Sequence, residues 1–263
     1  MASYSGKVVY ISGGTSGINL GIAKAFAGAG AKVLVFGRNQ QKADAAAEEI
    51  RLVTGQSAAA GSADVRDPQA VAALFARGVS EIGAPDVVIA GAAGNFMAPA
   101  VSLSANGFKT IVDIDLLGTY NVFRSAFDVL NKPGASLIAI TAPQAVRPMP
   151  AQVHVCAAKA GVNMIVKVLA MEWGPAGIRV NAISPGAITG TEGVERMAPS
   201  EAEKNRWLQS TPLRRFGTTT DIANAALFLS SEDAGNVTGT IFDCDGGISL
   251  GDAGGNYLVK STR

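Results

Sequence analysis

Short apolar runs and longer helical patterns alternate along the whole chain, and that alternation leaves few folds open. Runs of strand type occupy residues 7–11, 32–36, 57–60, 86–90, 136–141, 179–184 and 240–244. Helical stretches lie between them, at 17–30, 41–54, 68–82, 106–130, 152–173 and 219–230. Val-Val-Ile-Ala, ending at Ala90, is apolar at every position, as a parallel strand covered on both faces requires. The expected fold class is α/β: a doubly wound parallel sheet of about seven strands, helices on both faces, with ligands at the carboxyl ends of the strands. Residues 1–263 read as one domain, since no linker, repeat or low-complexity segment interrupts them. The one long irregular insert, 186–209, is expected to form a lid over the site.

Composition narrows the function. With 48% hydrophobic and 16% charged residues the chain can bury a large core. A net charge of +1 argues against nucleic acid or a membrane surface as partner. Cys156 and Cys244 are too few for a disulfide framework or a cysteine-rich metal site, and no metal is expected. The N-terminus has no signal-peptide core, and no run of about 18 apolar residues occurs, so the chain reads as cytoplasmic.

The first strand runs directly into Ser12-Gly13-Gly14-Thr15-Ser16-Gly17-Ile18-Asn19. A strand, glycine turn and helix start bring backbone N–H groups and a positive helix end to a pyrophosphate, the arrangement of a Rossmann fold. Gly13, Thr15, Ser16, Gly17 and Ile18 are therefore candidate cofactor contacts, although the spacing differs from GxGxxG and a glycine turn without a ligand is the alternative. The second strand ends Phe36-Gly37-Arg38-Asn39, where an NAD site would offer a carboxylate to the ribose 2′-hydroxyl. Gly37 leaves room and Arg38 supplies a cation, which fits the 2′-phosphate of NADPH; a surface-turn role for Arg38 is the alternative. Asp64-Val65, after the third strand, is placed to meet the adenine.

Together with Val112-Asp113-Ile114-Asp115, Lys159, Arg179-Val180-Asn181, Pro185-Gly186 and the closing Asp245-Gly246-Gly247, these pieces make the chain resemble the short-chain dehydrogenase/reductase family over nearly its whole length. The resemblance adds Asn39, Ala92, Pro185, Gly186 and Ile188 to the cofactor contacts and gives Lys159 the nicotinamide ribose. It also implies a homo-oligomer, commonly a tetramer, built on the helices at 106–130 and 152–173. Two departures stand out: Asn19 replaces a glycine, and Ala90-Gly91 stand where paired asparagines are usual.

The family's four catalytic positions, Asn, Ser, Tyr and Lys, read Asp115, Ala142, Val155 and Lys159 here. Only the lysine is kept. Neither Val155 nor Ala142 can exchange a proton with a carbonyl oxygen, so ketone and alcohol interconversion by the usual route is not expected. Tyr4, Tyr10, Tyr120 and Tyr257 stand at no expected site, and Gln152 occupies the position of the enoyl-reductase tyrosine. Asp115 substitutes a proton carrier for a neutral amide. That suits hydride addition to a double bond conjugated to a thioester, where a water held by an acid can protonate carbon.

Ala92 to Phe96, Phe108-Lys109-Thr110, Gln152-Val153-His154 and Gly190-Thr191-Glu192-Gly193 resemble the peroxisomal type of 2,4-dienoyl-CoA reductase, in which the tyrosine is likewise missing. The resemblance implies that Asp115 and Asp245 hold the proton-donating water; a structural role for either is the alternative. It puts Phe96, Ser104 and Asn106 at the acyl and thioester pocket, and Arg66 and Arg196 at the coenzyme A phosphates, where solvated surface arginines are the other reading. The expected function is an NADPH-dependent reductase of 2,4-dienoyl-CoA; a reductase of another activated double bond or carbonyl, and a non-catalytic NADP-binding protein, stay open. His154, Cys156, Met149, Met164 and Met171 read as structural or packing residues. The terminal Lys260-Ser261-Thr262-Arg263 is not a peroxisomal signal of the Ser-Lys-Leu kind.

Overall fold

Seven strands, β1 (Val8–Ser12), β2 (Lys32–Gly37), β3 (Ala58–Ser62), β4 (Val87–Ala90), β5 (Ser136–Ile140), β6 (Arg179–Pro185) and β7 (Ile241–Cys244), form one sheet, every pair parallel. Their order is β3-β2-β1-β4-β5-β6-β7. This computed structural model describes residues 3–254. Tyr257 and the residues from Lys260 onward, which carry the targeting expectation, lie outside the described residues.

The chain winds outward from β1 to β3, then returns to start β4 on the other side of β1. At that reversal the crossovers leave in opposite directions and a crevice opens beyond Ser12 and Ala90, which are paired in register. Strands β1, β4 and β5 are buried at every position. Alternate side chains feed two cores. Val9, Ile11, Val33, Val35 and Ile89 face the helices α1 (Gly17–Gly28), α2 (Gln40–Thr54) and α9 (Thr219–Ser230). Tyr10, Leu34, Val88 and Leu137 face α3 (Pro68–Ile82), α5 (Gly118–Phe127) and α6 (Val153–Trp173).

The strand positions agree with the sequence pattern to within two residues, but two helical expectations change. The helix expected at 106–130 is α4 (Ala105–Ile111), a π-helical turn (Val112–Leu117) and α5 in succession. The insert at 186–209 is not irregular: it folds into α7 (Glu192–Met197) and α8 (Glu201–Ser210). Ser200 and Glu203 form a reciprocal cap at the start of α8, a pairing that satisfies two end N–H groups. Met164 and Met171, read as packing residues, are instead 59% and 80% exposed on α6. One helical stretch, Val153–Ala176, is long and apolar enough to cross a membrane; half of it is buried within the fold, as befits a core helix.

Candidate active site

A cavity of about 350 Å³ lies at the carboxyl ends of β1, β4, β5 and β6, walled by the first turn of α1, the 91–95 loop, Pro185 to Ile188, α7 and Trp207 of α8. At its floor are Asp115 and Lys159, two charges taken almost wholly out of water. The π-helical turn carries Asp115; the extra residue in that turn breaks the regular helical ladder, a feature often found at functional sites. Asp115 Oδ1 accepts from the Gly94 N–H at 2.7 Å. Its Oδ2 is 3.1 Å from Lys159 Nζ, which donates to the Ile140 carbonyl at 3.0 Å. Oδ2 makes no aligned hydrogen bond among the described residues. The pair is thus fixed from three sides, with Oδ2 buried beside the cavity floor and a lone pair left without a hydrogen bond.

The two hydroxyl positions of the usual mechanism are apolar here. Ala142 and Val155 both line the cavity, and Val155 packs with Ile111 and Ala158 beside the Asp115 turn. No described tyrosine replaces the missing one. Tyr4 donates to the Leu227 carbonyl, Tyr10 to the Gly83 carbonyl, and Tyr120 is exposed on α5. His154 is buried, with Nε2 3.1 Å from the Phe96 carbonyl, and is not among the residues that line this cavity.

The residues at the switch point fit a nicotinamide dinucleotide. Gly13 has φ +66°, and a Cβ there would stand 2.9 Å from the Ala92 backbone, so only glycine permits this turn. Ser16, at the N-cap of α1, makes no side-chain cap bond, which leaves the first N–H groups of the helix for a phosphate. Gly17, Ile18, Pro185, Gly186 and Ile188 line the same cavity. Thr15 lies against Gly37, and Arg38 follows in an exposed position.

The other expected cofactor contacts are engaged within the protein. Asn39 Oδ1 accepts from the Lys42 N–H and caps α2. Asp64 forms a two-pronged ion pair with Arg66, at 2.6 Å for the shortest contact. The Arg66 guanidinium holds the Asp64 carboxyl below its ordinary value, and the charge of Arg38 adds to this. Val65 is buried, its carbonyl accepting from Asn121. The two departures prove to be one exchange: Asn19 Nδ2 donates to the Gly91 carbonyl at 2.8 Å, and a Cβ on residue 91 would overlap the Asn19 amide.

Phe96, Ser104 and Asn106 come together outside the cavity wall. The Phe96 ring lies 4.4 Å from the His154 ring, centroid to centroid, and against Gly107; Ser104 caps α4 through the Gly107 N–H, and Asn106 is exposed on its first turn. Arg196, on α7, donates to the Asn95 carbonyl at 3.1 Å and pairs with Glu192. Asp245 is not brought to the cavity that holds Asp115. It lines a second one with Arg215, Asp221 and Leu250, and its two oxygens accept from the Gly247 and Ser249 N–H groups at 2.7 and 2.9 Å. Sequence reasoning missed Gln144, Arg147, Met197 and Trp207 as cavity residues and gave Met149 a packing role, whereas it also lines the wall.

The family model described as Enoyl-(Acyl carrier protein) reductase matches residues 13–249. The chain belongs to the short-chain dehydrogenase/reductase family. It is therefore an oxidoreductase, of a fold that takes a nicotinamide cofactor. Within the family it resembles enzymes named peroxisomal 2,4-dienoyl-CoA reductase, (3E)-enoyl-CoA-producing. That of Rattus norvegicus is 42% identical over 243 residues, 92% of this chain and 83% of the relative. That of Danio rerio is 40% identical over 247 residues, 94% of this chain and 82% of the relative. Among solved structures, a short-chain type dehydrogenase/reductase from Mycobacterium ulcerans superposes with a TM-score of 0.90 at 28% identity, covering 95% of this chain and 92% of that one.

Proposed function

We propose that this member of the family is an NADPH-dependent reductase of 2,4-dienoyl-CoA thioesters. The observation that carries the reading is the buried Asp115–Lys159 pair in a cavity whose hydroxyl positions are Ala142 and Val155. Such a site lacks the hydroxyls that ordinarily bind and protonate a ketone oxygen, and has an acid that can hold a water for protonating carbon. When bound, NADPH supplies the hydride, which goes to the terminal carbon of the diene. The negative charge then spreads onto the thioester oxygen as a dienolate. Asp115 Oδ2 accepts one hydrogen of a water molecule, whose other proton goes to the α or γ carbon. The ammonium of Lys159, 3.1 Å away, stabilises the hydroxide left behind until solvent reprotonates it.

In this reading Arg38 takes the 2′-phosphate, and Arg66 and Arg196 take the coenzyme A phosphates by leaving the carboxylates of Asp64 and Glu192. Phe96, Ser104 and Asn106 guide the acyl chain at the mouth, and α7 and α8 act as the lid. Asp245 shapes the turn that packs behind Gly186, whose added Cβ would meet the Asp245 backbone at 2.7 Å. The named relatives are peroxisomal. A cytoplasmic site and a homotetramer are our expectations for this chain.

The test is NADPH oxidation with a 2,4-dienoyl-CoA and, separately, a 3-ketoacyl-CoA. The diene alone should be turned over. Asp115→Asn should cut kcat by about 100-fold or more while NADPH binding persists, and Asp245→Asn should leave kcat within about tenfold, short of the loss expected for a residue that handles the proton. Turnover of the ketone would overturn the mechanism. Silence on both substrates, with NADPH bound, would point to another substrate or a non-catalytic binder.

A further inference from the structure

Reduction of a dienoyl thioester, the reading on which this inference rests, drives charge onto the thioester oxygen. In a cavity of low dielectric that oxygen needs hydrogen-bond donors already in place. The side chains that usually face it, at 142 and 155, have none. Lys159 is held by Asp115 and the Ile140 carbonyl. The Thr141 hydroxyl donates to Asn163 Oδ1 and that of Thr191 to the Ile188 carbonyl, both at 2.7 Å. Arg147 is tied to the Ile248 carbonyl.

Two other cavity residues are in a different position. Gln144 Nε2 donates to Gln152 Oε1 at 3.1 Å, and Gln152 Nε2 donates to Asn95 Oδ1 at 2.7 Å. Gln152 is wholly buried and both its polar atoms are engaged in this chain, whereas the two ends, Gln144 and Asn95, line the cavity. The remaining contacts of the end amides are poor ones: Gln144 Nε2 lies 3.9 Å from Met149 Sδ, and Asn95 Nδ2 lies 3.9 Å from Met197 Sδ. A thioether sulfur is a weak acceptor, so these N–H groups are available to a better one. A buried amide costs stability unless it is satisfied, and a satisfied chain of amides polarises its members along one direction.

The chain is also firmly set. Ala151, the residue before Gln152, has φ +62°, a conformation that alanine rarely adopts, and its carbonyl accepts from the Ala98 N–H at 2.9 Å. Asn95 is joined to α7 as well, through its carbonyl to Arg196 and its amide to Met197. We infer that Gln144 and Asn95 are the donors that receive the substrate's thioester oxygen, and that Gln152 is the positioning residue that aims them. The amide chain takes the place of the absent serine and tyrosine hydroxyls. It also links the donors to the helices that cover the site.

A 2,4-dienoyl-CoA added to the cofactor-free protein tests this, because hydrogen bonds to the carbonyl shift the absorption of the conjugated thioester to longer wavelength. The wild-type protein should give a red shift on binding. Gln144→Leu should reduce it and lower kcat by about 100-fold, the effect of losing one oxyanion donor, with a smaller change in KM. Gln152→Met, which keeps the length of the side chain and removes its hydrogen bonds, should reduce the shift although it touches no substrate. Gln152→Glu, which still accepts from Gln144 but has no N–H for Asn95 Oδ1, should restore the part of the shift that depends on Gln144 and not the part that depends on Asn95. An active wild type whose red shift and kcat are unchanged by Gln144→Leu and Gln152→Met, both still binding NADPH, would overturn this inference alone. A wild type that leaves the diene unreduced would overturn the parent reading, and is recognised before any variant is made.

Discussion

Asp115 and Lys159 are tolerable in the interior only as a pair. Taking either charge out of water costs several kcal/mol, and their attraction together with the bonds to Gly94 and Ile140 offsets much of it. Removing one partner leaves the other uncompensated, at about 3–5 kcal/mol. Lys159→Met is therefore expected to be strongly destabilised in urea, while the double variant Asp115→Asn with Lys159→Met recovers most of the loss without recovering turnover. Additive single effects in that cycle would mean that the two charges do not interact. Both residues were legible in the sequence, because Lys159 keeps the family pattern and the carboxylate at 115 departs from it. Their direct contact was not, since nothing in residue type says that the helix bearing Asp115 makes a π turn there. Asp245 shows the opposite case: the Asp-Gly-Gly motif is easy to read, but the engagement of both oxygens by the backbone of its own turn is a matter of local geometry.

At the scale of elements, α1 and the end of β4 are matched through Asn19 and Gly91. The amide of the helix residue fills the space beside the strand end that an asparagine after β4 would otherwise occupy. Gly91→Ala should therefore push the Asn19 amide aside and destabilise the protein by about 1–3 kcal/mol. In an Asn19→Gly background the same alanine should cost much less, a coupling of about 0.5–3 kcal/mol readable from denaturation midpoints. Equal costs in both backgrounds would show that the two departures are unrelated. The sequence pattern located every strand because apolar runs between turns are a strong signal, and the dinucleotide turn because glycines mark it. It did not reveal α7 and α8, which are short, and α8 buries no residue fully. Nor did it reveal the wall carrying Gln144 and Met149, where Pro143, Pro148 and Pro150 remove any periodicity that could be followed.

For the molecule as a whole, one set of exposed apolar side chains forms a regular stripe on the helices that lie over one face of the sheet. On α6, Met164, Val168 and Met171 recur at helical spacing and stand 59%, 42% and 80% exposed. Leu117, the last residue of the π-helical turn, and Tyr120 on α5 are about half exposed, and α5 and α6 bury their opposite sides in the same core. An apolar stripe of this kind is costly to leave in water and fits association with a second copy of the chain. Core packing explains Val162 and Val166 on the inner side of α6 but not the three residues facing outward. The wild-type protein is therefore expected to sediment as an oligomer at micromolar concentration. Met164→Glu with Met171→Glu should shift it to a smaller species while the far-ultraviolet circular dichroism stays unchanged, because neither side chain contributes to the core. If wild type and variant both sediment as monomers, this face does not bring copies of the chain together, and the segments that carry Asp115 and Lys159 are held in place by packing within a single chain.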